Sequence, residues 1–182
     1  MVTKQTLIDS KGFVRTINRL AHEIIERNKG AESIGIVGIR TRGDFLARRI
    51  AHKISLMENI SVPIGCLDIT LYRDDLRGKL NQPELKMTDI LFDIHDKNIV
   101  LVDDVLFTGR TVRSALNALT DIGRPASIQL AVFIDRGHRE LPIKADFIGK
   151  NVPTSQTQEI QVTMSEIDGE DEVYLIEKGA DV

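Results

Sequence analysis

The sequence predicts an α/β fold in which helices flank a parallel, twisted sheet. The first observation is a run of four aliphatic residues at 99–102, which is typical of a parallel strand covered on both faces. The second is that extended apolar segments alternate with amphipathic helical segments, as in doubly wound sheets with right-handed crossovers. No repeat, low-complexity segment or linker interrupts the 182 residues, so a single domain over 1–182 is expected.

The predicted elements can be placed in chain order. Apolar residues recur at helical spacing over 10–28, with Ser10 as the expected N-cap and Gly30 as the stop signal. The later elements are a strand over 33–39, a turn over 40–43, a helix to about residue 57, a strand over 62–71, the strand at 99–102, a helix with apolar positions from residue 112, and extended segments over 127–134, 145–149, 158–164 and 172–177.

Residues 73–88 lose all hydrophobic periodicity. A long irregular connection inside a compact domain is usually functional or mobile. We therefore expect a flexible loop over about 70–88.

Composition restricts the class of protein. Hydrophobic residues make up 42% of the chain and charged residues 28%, which is ordinary for a soluble globular protein. No apolar run approaches the ~18 residues needed to cross a bilayer, and the amino terminus lacks the apolar core of a signal peptide. Cys66 is the single cysteine, so no intramolecular disulfide can form and a cytoplasmic location is expected.

Charge is unevenly distributed along the chain. The formal net charge is −3, and residues 159–182 contribute −7 through eight acids and one lysine, so residues 1–158 carry +4. The acidic total argues against indiscriminate binding of nucleic acid, but it leaves room for a basic patch on the main body. The residue types alone suggest no function for the acidic segment after about residue 165.

The strand at 99–102 leads directly into residues with ligand-binding chemistry. Asp103 and Asp104 follow it, at the end of a strand where open α/β sheets bind their ligands. The turn at 108–111, Thr-Gly-Arg-Thr, then opens a helix. Such a turn directs backbone N–H groups and a helix N-terminus toward one point, which suits a phosphate. Acids that can bind sugar hydroxyls beside an anion site predict a phosphorylated ribose as the ligand.

This segment resembles the phosphoribosyl-pyrophosphate (PRPP) signature of the type I phosphoribosyltransferases. Phe107 stands where most members carry a small residue, and together with the Asp-Asp pair it resembles the PyrR family of bifunctional pyrimidine regulators and uracil phosphoribosyltransferases. Four further stretches match that family: NRLAHE at 18–23, GIRTRG at 38–43, DITLYRDDL at 68–76 and DRGHRELP at 135–142. The likeness runs from about residue 10 to 155. It implies a type I phosphoribosyltransferase-like fold, with a small hood over about 133–162 and the flexible loop.

The resemblance also implies the reaction and the residues that carry it. Uracil and PRPP would give UMP and pyrophosphate, with Asp103 and Asp104 holding the ribose hydroxyls. Arg73 in the flexible loop would reach the pyrophosphate, Arg136 would contact the nucleotide, and Ile160 would touch the base. The other implied substrate-binding residues are Arg40, Thr41, Arg42 and Gly43 around the pyrophosphate, and Val105, Leu106, Phe107, Thr108, Gly109, Arg110 and Thr111 around the ribose 5-phosphate.

No dedicated metal-binding motif is expected. The family uses Mg²⁺ that arrives with PRPP, and this ion prefers substrate oxygens and water to a cage built only from protein.

The family also binds the leader mRNA of pyrimidine genes in response to uridine nucleotides such as UMP and UTP, which implies transcription attenuation. It does so through a basic surface on a homodimer, which can assemble further. By matching position, the RNA-binding candidates are Arg19, His22, His138, Lys144 and Lys150. Aromatic residues make up only 4% of the chain, so base stacking is not expected to dominate.

Three functions stay open at this point. The first is a uracil phosphoribosyltransferase that also attenuates transcription. The second is an RNA-binding regulator that keeps the nucleotide site as a sensor. The third is a phosphoribosyltransferase without an RNA-binding role or with another base, such as a purine or orotate. The acid pair and both phosphate loops favour catalysis, and Phe107 with the 135–142 stretch favours uracil.

Overall fold

The computed structural model describes residues 2–70 and 88–178. Its centre is a five-stranded parallel sheet with the strand order β3-β2-β4-β5-β6. The five strands are β2 (Ile34–Ile39), β3 (Ile64–Leu67), β4 (Asn98–Leu106), β5 (Ser127–Asp135) and β6 (Phe147–Asn151). The predicted α/β class with a parallel sheet is confirmed.

Helices cover both faces of this sheet. On one face, α1 (Ser10–Asn28) and α2 (Arg42–Glu58) pack against a core that includes Val100 and Val102 of β4. On the other face, α3 (Arg110–Ile122) packs against a second core that includes Ile99 and Leu101. Because neighbouring residues of a strand point to opposite faces, the uninterrupted aliphatic run of β4 supplies both cores.

A second, antiparallel sheet has the order β1-β8-β7 and joins the two ends of the chain. Its strands are β1 (Val2–Ile8), β7 (Gln158–Thr163) and β8 (Glu172–Lys178), and the single-turn helix α4 (Ser165–Asp168) connects the last two. Of these strands only β7 lies in the range predicted for the hood. We use "hood" below for this three-stranded sheet together with α4.

Two local predictions are wrong. The N-cap of α1 is Asp9, whose carboxylate accepts the N–H of Gly12 at 2.7 Å, and Ser10 is the first helical residue. The strand predicted over 62–71 is limited to Ile64–Leu67. It stops because the carboxylate of Asp68 accepts both the N–H and the hydroxyl of Thr70, which turns the chain.

Ion pairs attach the hood to α2. Arg49 donates to Glu166 at 2.6 Å and to Asp171 at 2.8 Å, and Arg42 donates to Asp168 at 3.1 Å. The acidic segment after residue 165, for which the sequence suggested no function, therefore binds arginines of α2. These ion pairs lie between the two sheets.

The cluster of Arg49, Glu166 and Asp171 shifts the titration of its members. Burial works to raise the pKa of both carboxyls, but hydrogen bonds and charge from Arg49 outweigh it, so the pKa of each lies below its usual value. In Arg49, burial is likewise outweighed by these two acids and the pKa is raised. The two carboxylates thus stay ionised in the folded protein at a pH where the unfolded chain begins to bind protons.

We expect Asp171→Asn to lower the free energy of unfolding at neutral pH by about 1–2 kcal/mol, less than a fully buried hydrogen bond to a charged group contributes, because solvent partly screens this cluster. In the wild type this contribution is present above the unfolded pKa, near pH 4, and is lost as the pH falls through the lower folded pKa. Urea unfolding between pH 7 and pH 3 measures both effects. Glu26→Gln, on the exposed side of α1, is the control. An equal response of the two variants would contradict a role for the cluster.

Candidate functional site

Ligand-binding residues gather at the carboxyl edge of the parallel sheet, where β4 leads into α3. A cavity of about 220 Å³ opens there. It is lined by the acid at the end of β4, the following loop and the first turns of α3, namely Asp103, Val105, Leu106, Phe107, Thr108, Gly109, Arg110, Thr111, Val112 and Ser114. The structure thus brings together all seven residues predicted around the ribose 5-phosphate, Val105 to Thr111.

The two acids lie within β4 and precede the loop, because the strand continues to Leu106. Asp103 is 7% exposed and lines the cavity, and its carboxylate accepts the N–H of Asp104 at 2.9 Å. The carboxylate of Asp104, which is half-buried, accepts the N–H of Val105 at 2.8 Å. Backbone donors therefore fix one oxygen of each acid, and this orients both carboxylates.

The loop at 107–109 requires a glycine at its last position. Gly109 has φ +92°, in the left-handed region, and immediately precedes α3. A Cβ on Gly109 would also lie 3.3 Å from the side chain of Ile143 and 3.5 Å from that of Leu141. The chain can thus approach an anion at the N-terminus of α3 without a side chain in the way.

The predicted pyrophosphate loop, Arg40 to Gly43, lies against the acid pair. It ends β2 and opens α2, so its position matches the prediction. A Cβ added to Gly43 would lie 2.5 Å from the carbonyl oxygen of Val102 and 3.3 Å from the Cα of Asp103. Only a glycine lets α2 begin this close to β4.

The arginines of this loop have different surroundings. Arg42 donates through Nη2 to Asp168 of the hood, whereas its buried Nε has no hydrogen-bond partner within the described residues. Arg40 lies near the buried thiol of Cys66, whose pKa is raised mainly by burial. Its backbone N–H donates to the carbonyl of Leu67 at 3.0 Å, which fastens the start of the loop to β3.

Arg136 and Phe107 form a stacked pair beside the cavity. The guanidinium carbon of Arg136 lies 4.1 Å from the centre of the Phe107 ring, a favourable cation–π geometry. Arg136 is 7% exposed, and its nitrogens donate to the Thr154 hydroxyl and to the carbonyls of Ser155 and Gln158. Burial lowers its pKa from the usual value. Arg136 thus joins the end of β5 to the turn that leads into β7.

Among the predicted substrate residues that the structure describes, the cavity lining leaves out Ile160 as well as Asp104, Arg136 and the loop 40–43. Ile160 is in β7, where it pairs with Leu175 and packs partly buried against the core under α1 and α2. Arg73 lies outside the described residues. Asp68, just before the predicted flexible loop, donates its N–H to the hydroxyl of Thr88, the last residue of that loop, at 3.2 Å.

The predicted RNA-binding residues separate into two groups. Arg19 and Lys150 line one groove of about 540 Å³ between α1, β1 and β6, and His22 is exposed one turn further along α1. His138 instead lies near Phe107, with the ring centres 6.1 Å apart, and Lys144 is exposed in the connection that leads to β6.

Backbone contacts hold the cations of the groove. Arg19 donates to the carbonyls of Ile148 and Gly149 and pairs with Glu23, and Lys150 donates to the carbonyl of Leu7 at 3.0 Å. Arg15, which precedes Arg19 by four residues on α1, also lines the groove.

Sequence reasoning missed two residues near the site. Asp168 reaches Arg42 from the hood, and nothing in the sequence pairs these distant positions. Arg139 donates to the carbonyl of Phe107 at 2.8 Å. Arg139 belongs to the stretch 135–142 that matches the family, and this match was the sequence feature that could have identified it.

Among residues 2–70 and 88–178, no group of three or more His, Cys, Asp or Glu side chains is arranged to hold a metal ion. In the same residues, no helix is both long enough and apolar enough to span a membrane.

An acid pair at the end of a central parallel strand, followed by a glycine loop on a helix N-terminus, defines the phosphoribosyltransferase class. The family model for the phosphoribosyl transferase domain matches residues 4–167. Solved structures agree in fold. A hypoxanthine-guanine phosphoribosyltransferase from Bacillus anthracis has a TM-score of 0.70 at 18% identity, covering 98% of this chain and 99% of that one. The HGPRT-ase from Leishmania tarentolae in complex with GMP has a TM-score of 0.71 at 15% identity, covering 96% of each chain.

Curated relatives narrow the class. A "Bifunctional protein PyrR" from Clostridioides difficile is 58% identical over 97% of this chain and 100% of its own length. One from Deinococcus radiodurans is 55% identical over 96% of this chain and 95% of its own. The chain belongs to the PyrR family of phosphoribosyltransferases, which confirms the predicted family, fold and enzyme class.

We expect Gly43→Ala to lower the free energy of unfolding by about 1–3 kcal/mol, the range for forcing extra volume into a packed site. The added methyl would strike the Val102 carbonyl, so α2 would have to move away from β4. The control is Gly169→Ala, which also introduces a methyl but meets nothing within 4 Å and adds only the strain of a positive φ. Chemical denaturation compares them. Equal losses would show that packing at Gly43 is not the constraint.

Proposed function

We propose that this protein transfers the phosphoribosyl group of PRPP to uracil, giving UMP and pyrophosphate. It also regulates pyrimidine biosynthetic genes by binding their leader mRNA in a uridine-nucleotide-dependent manner. Membership of a family whose curated members are named bifunctional supports both activities. The observation that carries the enzymatic part is the cavity that joins Asp103 to the glycine loop before α3.

The proposed roles follow from the chemistry of the lining. Asp103 and Asp104 accept hydrogen bonds from the ribose 2′- and 3′-hydroxyls, since backbone donors already orient both carboxylates. N–H groups and hydroxyls of Thr108, Gly109, Arg110 and Thr111 hold the 5′-phosphate, which the N-terminus of α3 also favours. Arg110 is oriented by Glu140, whose carboxylate lies 2.6 Å from its Nε.

The loop from Arg40 to Gly43 binds the pyrophosphate. Its contact with the backbone of β4 brings this anion site beside the acid pair, as PRPP requires. The buried Nε of Arg42 without a partner in the described part of the chain supports the proposal, because such a donor needs an acceptor. Arg73, which lies outside the described residues, would add positive charge beside the leaving group.

Catalysis on this scheme needs no nucleophile from the protein. The bond to pyrophosphate breaks through an oxocarbenium-like ribose, so orientation and stabilisation of separated charge lower the barrier. Mg²⁺ that arrives with PRPP would neutralise the charge of the leaving group. Asp103 and Asp104 offer oxygens of the type that this ion prefers.

On this proposal, uracil binds on the side of the cavity that is nearest to Arg136 and the turn at 154–158. Arg136, which follows β5, donates hydrogen bonds to the turn at 154–158. Backbone groups of this turn can therefore form hydrogen bonds with the uracil carbonyls and its N3–H. We also propose apolar contact between the base and Ile160 in β7, although Ile160 lies outside the cavity lining. The Phe107 ring, supported by Arg136, borders the same region.

The RNA surface centres on the groove with Arg19 and Lys150, extended by His22 along α1. Arg15 adds a third cation to the groove, which favours phosphate contacts. His138 and Lys144 contact RNA from the connection between β5 and β6. A cytoplasmic homodimer or larger homo-oligomer presents two or more such surfaces, and UMP or UTP in the nucleotide site promotes RNA binding.

Incubation with PRPP, Mg²⁺ and single bases tests the reaction. We expect nucleotide formation with uracil and none with hypoxanthine or orotate. Gly109→Ala should lower turnover at least tenfold, the order of a lost electrostatic contact to the reacting ligand, because its side chain and strained φ disturb the phosphate loop. Gly169→Ala is the control, since it lies at a similar φ in the hood. Turnover of hypoxanthine instead of uracil would overturn the proposed substrate.

Gel shifts with an anti-terminator-type RNA stem-loop test the regulatory part. We expect UMP to raise the affinity, and Lys150→Gln or His22→Ala to lower it about tenfold without changing turnover, since each removes one phosphate contact. Arg48→Gln, exposed on α2, is the control. Binding that ignores UMP, or that both groove variants leave unchanged, would reject this RNA surface.

A further inference from the structure

Residues 136–141 donate hydrogen bonds to the backbone around the loop at 107–109, which we call the phosphate loop. Three successive carbonyls, from Leu106 at the end of β4 to Thr108 in the loop, accept hydrogen bonds from this segment. The carbonyl of Leu106 accepts the N–H of Arg136 at 3.1 Å, and that of Thr108 accepts the N–H groups of Glu140 and Leu141 at 2.9 and 3.2 Å. Between them, the carbonyl of Phe107 accepts Nη1 of Arg139 at 2.8 Å. We call residues 136–141 the bracing segment.

These bonds determine where the N–H groups of the loop point. In a trans peptide the C=O of one residue and the N–H of the next point in opposite directions, and the peptides of this loop are trans. Because the carbonyls of residues 106–108 face the bracing segment, the N–H groups of Phe107, Thr108 and Gly109 face away from it. All three residues line the 220 Å³ cavity, so their N–H groups form an anion-binding concavity.

Arg139 is the side-chain member of this arrangement. Its Nε donates to the carbonyl of Ile143 at 3.0 Å, and its Nη2 pairs with the carboxylate of Asp135 at the end of β5. Asp135 also accepts the N–H of Gly137 at 3.0 Å, which shapes the start of the bracing segment. The Arg139 side chain is 23% exposed. Its guanidinium is therefore turned toward protein acceptors.

We propose that Arg139 is a positioning residue for the phosphate loop, and that Asp135 orients it. Arg139 is not among the residues that line the cavity. It holds the peptide between Phe107 and Thr108, so that the Thr108 N–H faces the ligand phosphate. The proposal rests on the proposed function, because it names the residue that prepares this site for PRPP.

Arg139→Gln and Arg139→Lys, with Arg124→Gln as control, test the proposal. Arg124 is exposed before β5, at the opposite edge of the sheet. We expect Arg139→Gln to raise the KM for PRPP at least tenfold while the KM for uracil changes less than twofold. Lysine keeps the charge but lacks the planar group that serves several acceptors, so Arg139→Lys should behave like Arg139→Gln. Full activity of the lysine variant would show that only charge matters and overturn the proposal.

Amide hydrogen exchange supplies a readout that does not depend on turnover. Loss of the Arg139 bond should loosen the loop, so the N–H groups of Glu140 and Leu141, which bond to Thr108, should exchange at least fivefold faster in Arg139→Gln and in Asp135→Asn. Unchanged exchange in both variants would reject the positioning role. A wild type that folds but forms no UMP would instead reject the proposed function, while the exchange measurement still decides the role of Arg139.

Discussion

Burial of β4 on both faces is the constraint on which the site depends. The strand lies between β2 and β5 and contributes side chains to both cores. A shift by one residue would therefore move either Asn98 or Asp103 into a core position that an aliphatic side chain now occupies, which is costly. Asp103 is fixed by this register, because it follows Val102 in the same strand and pairs with Val132 of β5. The acids thus occupy a rigid position, while the loop after Leu106 supplies the adaptable backbone.

Two glycines let the two proposed anion sites lie next to this rigid strand. Gly43 lets the N-terminus of α2 approach the backbone of Val102 and Asp103, and Gly109 lets the chain turn through a positive φ into α3. The resulting helix N-termini both open at the carboxyl edge of the sheet. A ligand with phosphates at two ends and a sugar between them suits this spacing better than a ligand with one charged group.

Much of this arrangement could be predicted, because its signals are local. The aliphatic run of β4, the periodicity of α1 and the acid-glycine sequence each lie within one short segment. The polar strand β1 gave no such signal, since it is stabilised by pairing with β8 at the other end of the chain. The N-cap was misplaced because Asp9 and Ser10 are both good caps, and only the bond to Gly12 distinguishes them. Contacts between distant segments, such as Arg42 with Asp168, leave no trace in a single sequence.

Arginines beside the two proposed phosphate sites bind other parts of the chain, including the hood. Arg42 belongs to the predicted pyrophosphate loop but shares its guanidinium with Asp168 of α4, so part of its charge is neutralised before any ligand arrives. Arg136 is a buried cation whose donors are used to hold the 154–158 turn, and Arg139 binds the back of the loop after β4. In each case the chain directs guanidinium donors to its own carbonyls or carboxylates. An anion at this edge would therefore be held by backbone N–H groups and helix ends that these arginines keep in place, as much as by direct contact with the arginines themselves.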